Sequence, residues 1–178
     1  MCYFITLIAP SDDAAGLRAV MERHGRAASP IDNKSMRLVL DDHERQYLTT
    51  NGDCDCGTVL TLQQESDSFE QELVKDAARM RRKRWSEAKI SRAIDERRKA
   101  HTHRDGGGPD TLELWNAVLH DLGEELRLPY VGIFVRFYSG SVVSETFRAS
   151  RRTVPRRASW DDALASLQHD EVTIFRLT

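Results

Sequence analysis

The chain has 178 residues, of which 40% are hydrophobic and 30% charged, and its formal net charge at pH 7 is −2. Such a composition is typical of one globular domain, and the small net charge argues against a protein wholly devoted to nucleic acid or a membrane surface. No stretch reaches the roughly 18 apolar residues of a membrane-spanning helix. Three cysteines are a poor basis for a disulfide framework and suit a reducing compartment, so we expect a cytoplasmic protein that does not enter a membrane.

The N-terminal segment predicts a strand followed by a helix. Residues 3–9 (Tyr-Phe-Ile-Thr-Leu-Ile-Ala) are rich in β-branched and aromatic side chains, which favour a buried strand. Ser11 is a suitable N-cap, and apolar residues then recur at helical spacing up to Gly25, where the helix is expected to end.

A β-hairpin is predicted next. Residues 46–50 (Gln-Tyr-Leu-Thr-Thr) and 58–62 (Thr-Val-Leu-Thr-Leu) favour strands, and the Asn-Gly pair between them readily adopts positive φ. Cys54 and Cys56 are expected at the base of this hairpin.

Helix-forming residues dominate the middle of the chain. They span 68–104, a possible helical appendage, and the pattern leaves open one long bent helix or two helices that meet near Trp85 and Ser86. A glycine-rich linker is predicted at 105–109, and an amphipathic helix follows up to Leu126.

The C-terminal third predicts further strands. Residues 130–138 favour a buried strand, 142–147 an edge strand, 159–167 a short helix and 172–177 a terminal strand. The alternation of strands and helices predicts an α/β (or α+β) fold, with a mixed sheet covered by helices, in a single domain over residues 1–178.

The cysteines are candidate metal ligands. Cys54 and Cys56 are separated by one residue, and Cys2 opens a strand that could lie beside them in a sheet. Thiolates and imidazoles hold zinc tetrahedrally, so His43 or His24 is a candidate fourth ligand and zinc the candidate ion. The alternative is ordinary packing, because zinc knuckles usually separate their thiols by more than one residue and cysteine often behaves as a small hydrophobe.

The start of the chain suggests a second use of a thiol. If Met1 is removed, the α-amine of Cys2 can act as a base for its own thiol, as in N-terminal nucleophile hydrolases. The Met-Cys start resembles that of class II glutamine amidotransferases, and the resemblance covers this dipeptide alone. The sequence contains no phosphate-binding glycine loop, nucleophile elbow or His-Glu-x-x-His motif, so we expect a binding protein rather than an enzyme.

A basic segment supplies the leading hypothesis. Residues 75–104 contain twelve Lys or Arg and four Asp or Glu. We expect a small cytoplasmic binding protein, for example of the inhibitor or immunity type, that presents this helical surface to an acidic protein partner. Nucleic acid is the alternative partner, because the same cations can neutralise phosphates. The candidate partner-binding residues are Arg81, Arg82, Lys83, Arg84, Trp85, Arg97, Arg98 and Lys99.

A second group of arginines lies near the C-terminus. Its members are expected in a loop around Pro155, which is either an anion-attracting surface or a solvated connection. They are Arg148, Arg151, Arg152, Arg156 and Arg157.

Overall fold

The structure is a computed structural model that describes the backbone of residues 2–102, 110–157 and 159–178. Within these ranges, the side chains of 62–68 and 99–102 are not described. The predicted glycine-rich linker at 105–109 therefore lies outside the described residues.

The strands form one mixed six-stranded sheet in the order β2-β3-β1-β4-β6-β5. The pair β5–β6 is parallel and the other neighbouring pairs are antiparallel. This confirms the predicted mixed sheet in an α/β fold. The strands are β1 (Cys2–Ala9), β2 (Ser29–Ile31), β3 (Arg45–Leu48), β4 (Tyr130–Tyr138), β5 (Ser150–Val154) and β6 (Glu171–Arg176).

Helices of very different length accompany the sheet. Two of them, α3 and α4, make up the basic middle segment, which answers the question that the sequence left open. In the described ranges, no helix has both the length and the apolar character needed to cross a membrane. The helices are α1 (Ala14–Arg23), α2 (Lys34–Arg37), α3 (Val59–Arg82), α4 (Glu87–Thr102), α5 (Leu112–Leu126) and α6 (Asp161–Ala165).

The central strands bury apolar side chains on both faces of the sheet. In β1, Ile5 and Leu7 belong to the larger core, which also contains Trp115 of α5, whereas Ile8 belongs to a second, smaller core with Phe134. Successive side chains of a strand point to opposite faces, so a strand covered on both sides appears in the sequence as a continuous apolar run. The apolar runs at 3–9 and 130–138 are therefore correctly predicted as buried strands.

The predicted strand at 58–62 is wrong, because α3 begins at Val59. Asp110 accepts a hydrogen bond of 3.2 Å from the backbone N–H of Val59, and the Thr61 hydroxyl bonds to the carbonyl oxygen of Asp55. A carboxylate is favourable at a helix N-terminus, and this one comes from 51 residues away. The local β-propensity of the segment is thus overridden by a tertiary contact.

The predicted edge strand at 142–147 is also wrong. Asn33 donates from Nδ2 to the carbonyl oxygens of Val142 (2.8 Å) and Glu145 (3.0 Å), so these acceptors bond to a side chain rather than to a neighbouring strand. The edge strand beside β6 is β5. Arg151 and Arg152 therefore lie on a strand and not in the predicted loop.

Candidate metal centre

The segment after β3 continues along the edge of β1. The backbone N–H of Thr49 donates to the carbonyl oxygen of Ile5 (3.0 Å), and the N–H of Asp55 donates to that of Tyr3 (2.9 Å). These bonds bring residues 54–56 to the beginning of β1, where Cys2 lies. The proximity of Cys2 to the other two cysteines follows directly from this arrangement.

Asp55 anchors the segment between the two neighbouring cysteines. Its carboxylate is 1% exposed and accepts hydrogen bonds from the backbone N–H of Ile5 (2.7 Å) and the hydroxyl of Thr50 (2.5 Å). The guanidinium of Arg26 donates to its other oxygen at 2.5 Å. A buried charge needs such partners, and here they fix the backbone that carries Cys54 and Cys56.

The three cysteines converge. Each of the Sγ atoms of Cys2, Cys54 and Cys56 lies within 4.8 Å of the other two, with Cys2 and Cys54 half-buried and Cys56 exposed. Sulfurs that bind one zinc ion tetrahedrally at 2.3 Å are about 3.8 Å apart. Small side-chain movements therefore suffice for the three sulfurs to contact one ion.

One backbone donor is directed at this cluster. The N–H of Tyr3 donates to the Sγ of Cys56 at 3.3 Å. A hydrogen-bond donor stabilises the negative charge of a thiolate, the form that binds metals. The environment of Cys56 thus favours its use as a ligand.

The structure does not bring the candidate histidine ligands to the thiols. The Nε2 of His43 lies 2.8 Å from the hydroxyl of Tyr130, which begins β4, whereas Cys2 pairs with Tyr138 at the other end of that strand. The Nε2 of His24 is bonded to Asp121 at 2.9 Å. Among the described residues, the ligand cluster consists of the three cysteines. The idea that Cys2 is an N-terminal nucleophile involves Met1, which lies outside the described residues.

Three of the predicted partner-binding residues are engaged within the α3–α4 pair. Arg81 makes two hydrogen bonds of 2.9 Å to Glu87, and Arg98 makes two, of 3.0 and 2.8 Å, to Glu70. These bonds lower the pKa of both carboxyl groups below their usual value. Arg97 contacts the carboxylate of Asp76. These three arginines are therefore paired with carboxylates of the same two helices.

Three of the other predicted partner-binding cations lie at the turn between α3 and α4. Arg82, Lys83 and Arg84 are exposed, and in the described part of the chain no carboxylate lies within ion-pair distance of them. Trp85 is 36% exposed, and the Nζ of Lys89 lies 4.0 Å from its ring centroid. The side chain of Lys99 lies outside the described residues.

The polar residues beneath the cysteine segment were not among the predicted site residues. Arg26 contacts the ring of Trp115 (5.0 Å to the centroid) as well as Asp55, and Asp110 lies nearby at the start of α3. Burial raises the pKa of Asp110, and the positive charge of Arg26 opposes that increase. An aspartate between two cysteines was the one signal in the sequence that could have indicated this buried polar cluster. The partners of that aspartate could not be identified, because they are distant in sequence.

Comparison of the chain with protein-family models, with curated proteins and with solved structures finds no match in any of the three. What the three thiols can bind therefore follows from their own geometry and surroundings.

Proposed function

We propose that the chain binds one thiophilic metal ion of the zinc class through Cys2, Cys54 and Cys56. The observation that supports this is the mutual approach of the three sulfurs to within 4.8 Å. Ionised thiolates at this distance repel one another, and a cation among them converts that repulsion into attraction. Packing as small hydrophobes accounts less well for the cluster, because Cys56 is exposed.

The anchoring of Asp55 supports the same proposal. Its bonds to Arg26 and to the backbone of Ile5 hold the cysteine segment against β1 before any ion arrives. A ligand set that is already positioned loses less conformational entropy on binding. Three protein ligands leave the fourth tetrahedral position to water or to another donor. Since thiols persist in reducing compartments, the proposal includes a cytoplasmic location.

Native mass spectrometry tests this proposal. We expect untagged protein, purified without chelator and supplied with one equivalent of Zn²⁺, to carry one zinc ion that is lost on denaturation. Cys54→Ser should abolish this stoichiometric binding, because two thiolates do not make a structural zinc site. A protein that stays metal-free, or a Cys54→Ser variant that retains the ion, would overturn the proposal. His43→Ala is the matched control and should keep the zinc, because His43 lies outside the cluster.

A second function is supported by a separate observation. We infer that the basic turn, defined as Arg82, Lys83, Arg84 and Trp85, contacts an acidic protein partner. These cations are exposed and lack carboxylate partners in the described part of the chain, whereas Arg81, Arg97 and Arg98 are ion-paired. An exposed tryptophan among unpaired arginines has the composition of an interface hot spot. The small size of the patch favours a protein over the long phosphate track of a nucleic acid.

Fluorescence anisotropy with two probes tests the basic turn. A labelled oligoglutamate should bind, with an affinity that falls as salt is added. The double variant Arg82→Glu/Arg84→Glu should abolish binding, while Arg18→Glu, a reversal of an exposed arginine on α1, should weaken it much less. Tighter binding of a single-stranded oligonucleotide of equal charge would assign the turn to nucleic acid instead. Equal losses of affinity in the two variants would show that binding depends on net charge alone and not on the basic turn.

A further inference from the structure

A cavity of about 400 Å³ lies between α5 and the segment that joins β5 to α6. This volume falls within the range of small-molecule sites, roughly 300–1,000 Å³. The cavity includes Leu177, which follows the residue of β6 that pairs with Tyr130, whereas Cys2 pairs with Tyr138. It therefore lies towards the opposite end of β4 from the cysteine cluster and is independent of the proposed metal site.

The lining combines an apolar wall with two guanidinium groups. Leu119, Trp160 and Leu177 supply the apolar surface, and Arg156 and Arg157 supply the positive charge. A single acidic residue, Glu124, is also part of the lining. The charged side chains of the cavity thus leave an excess of positive charge beside an apolar surface.

The two cavity arginines differ from the arginines just before them. On β5, Arg151 bonds to Glu44 and Arg152 bonds to Glu171. Arg156 and Arg157 are exposed and have no carboxylate within ion-pair distance in the described residues. Arg151 and Arg152 are therefore structural, whereas Arg156 and Arg157 remain available to a ligand.

Trp160 adds an unsatisfied donor. Its side chain is 7% exposed, it lines the cavity, and its Nε1–H has no acceptor in the described part of the protein. Buried donors are normally paired, because an unpaired one has lost its hydrogen bond to water. The donor that the protein leaves unpaired thus belongs to a residue of the cavity lining.

We propose that this cavity binds a small organic anion, with its carboxylate or phosphate on Arg156 and Arg157 and its apolar body against Leu119, Trp160 and Leu177. Guanidinium groups match both kinds of anion because they donate two parallel hydrogen bonds to a pair of oxygens. Two adjacent guanidiniums hold the charged group, and the apolar wall selects anions that carry a hydrocarbon or aromatic body. An inorganic ion alone contacts the guanidinium groups but not the apolar wall.

Titration of the ¹⁵N-labelled full-length chain, followed by NMR, tests the proposal with four probes. Phenyl phosphate and benzoate carry both features, inorganic phosphate carries the charge alone, and benzyl alcohol carries the ring alone. We expect saturable shifts of the Trp160 indole N–H and the Gly123 amide with phenyl phosphate or benzoate. The two single-feature probes should bind at least about tenfold more weakly. The better of the two organic anions identifies the charged group.

Substitutions locate the binding. Arg156→Gln/Arg157→Gln should weaken the better organic anion by at least about tenfold, since charge-assisted bonds are lost. Arg148→Gln removes an exposed arginine that does not line the cavity and should leave the affinity unchanged. Unchanged spectra elsewhere verify the fold of each variant. Shifts that do not saturate, undiminished affinity of the double variant, or equal binding of benzyl alcohol would overturn the proposal.

Discussion

Arg26 and Asp55 form an ion pair inside the protein, with the guanidinium Nη2 2.5 Å from the carboxylate Oδ1. Their side chains are 9% and 1% exposed. Arg26 also donates to the hydroxyl of Thr49 at 3.0 Å and lies over the ring of Trp115. The pair therefore links the segment after α1, the cysteine segment and α5 at one buried point.

Replacement of Asp55 should destabilise the fold strongly. Asp55→Asn preserves the shape of the side chain but leaves the buried Arg26 charge without its ion-pair partner. Loss of one partner of a buried pair reduces the free energy of unfolding by about 3–5 kcal/mol. Urea unfolding followed by circular dichroism measures the change. In the zinc assay, the same variant should bind more weakly, because the cysteine segment loses its anchor.

An exposed pair provides the matched control. Asp12 accepts a hydrogen bond of 2.6 Å from Arg45, and the two side chains are 80% and 40% exposed. Asp12→Asn should lower the free energy of unfolding by only about 0–1 kcal/mol, because water already screens this pair. Similar losses for Asp55→Asn and Asp12→Asn would show that burial of the Arg26–Asp55 pair has no energetic consequence.

Glu44 should contribute to stability in a pH-dependent manner. Burial raises its pKa, but hydrogen bonds from Arg151, the backbone N–H of Asp41 and Tyr130 together outweigh burial and lower the pKa below its usual 4.5. A carboxyl group with a depressed pKa in the folded state stabilises the protein above the unfolded-state value. That contribution is lost as the pH falls through the folded-state pKa. Wild-type stability should therefore decrease as the pH drops below about 4.5.

Glu44→Gln isolates this effect. The variant should be less stable than the wild type at pH 7, and the difference should shrink on acidification, because a protonated Glu44 resembles glutamine. Urea midpoints from pH 7 to pH 3 provide the comparison. Glu22→Gln is the control, since Glu22 is exposed and forms no ion pair in the described part of the chain. A constant difference between Glu44→Gln and wild type across this range would refute the assignment.

The side-chain amide of Asn33 should be required for full stability of the fold. Its Oδ1 accepts from the N–H groups of Ser35 (2.8 Å) and Met36 (3.1 Å), while Nδ2 donates to Val142 and Glu145. Asn33→Asp keeps the acceptor that caps α2 but places a negative charge beside two carbonyl oxygens. We expect a loss of about 1–3 kcal/mol in the free energy of unfolding.

Hydrogen exchange identifies the origin of that loss. The amides of residues 141–147 should exchange faster in Asn33→Asp, because their segment is no longer held by the side chain. Asn51→Asp is the control: Asn51 is exposed and makes a hydrogen bond of 3.2 Å to the carbonyl oxygen of Gly25. It should change stability by no more than about 0.5 kcal/mol. Unchanged exchange at 141–147 in Asn33→Asp would contradict the proposed role.

Gly132 should not tolerate a side chain. A Cβ atom at this position of β4 would lie 2.9 Å from atoms of Ile8 and Ile174 and 3.1 Å from Val172. These neighbours belong to the smaller core, where overpacking costs about 1–3 kcal/mol. Thermal or urea unfolding of Gly132→Ala should show this loss. In Gly140→Ala the nearest atom would lie at 3.6 Å, an ordinary contact, so that variant should unfold like the wild type.

Local patterning was sufficient for the strongest elements. The apolar run at 130–138 predicts β4 with the bounds that the structure has, and the stripe through Trp115 and Leu122 predicts the buried face of α5. Both follow from the number of apolar side chains that must be buried and from their spacing. In residues 142–147, backbone carbonyl oxygens accept hydrogen bonds from the side chain of Asn33, which is distant in sequence. Local patterning cannot show such a contact, and it therefore predicts a strand there that does not form.

By itself, the sequence determined the fold class and the chemical character of the candidate ligands, because both depend on residue type and short-range spacing. Only the tertiary structure decided that Cys2 meets Cys54 and Cys56, while His43 lies with Tyr130. The physical reason is that hydrogen bonds between β1 and a segment about 50 residues away in sequence set these distances, with backbone and side-chain acceptors both involved. Carboxylates that the fold brings close to some arginines likewise decided which arginines are ion-paired and which remain available to a partner. No local sequence pattern encodes these contacts.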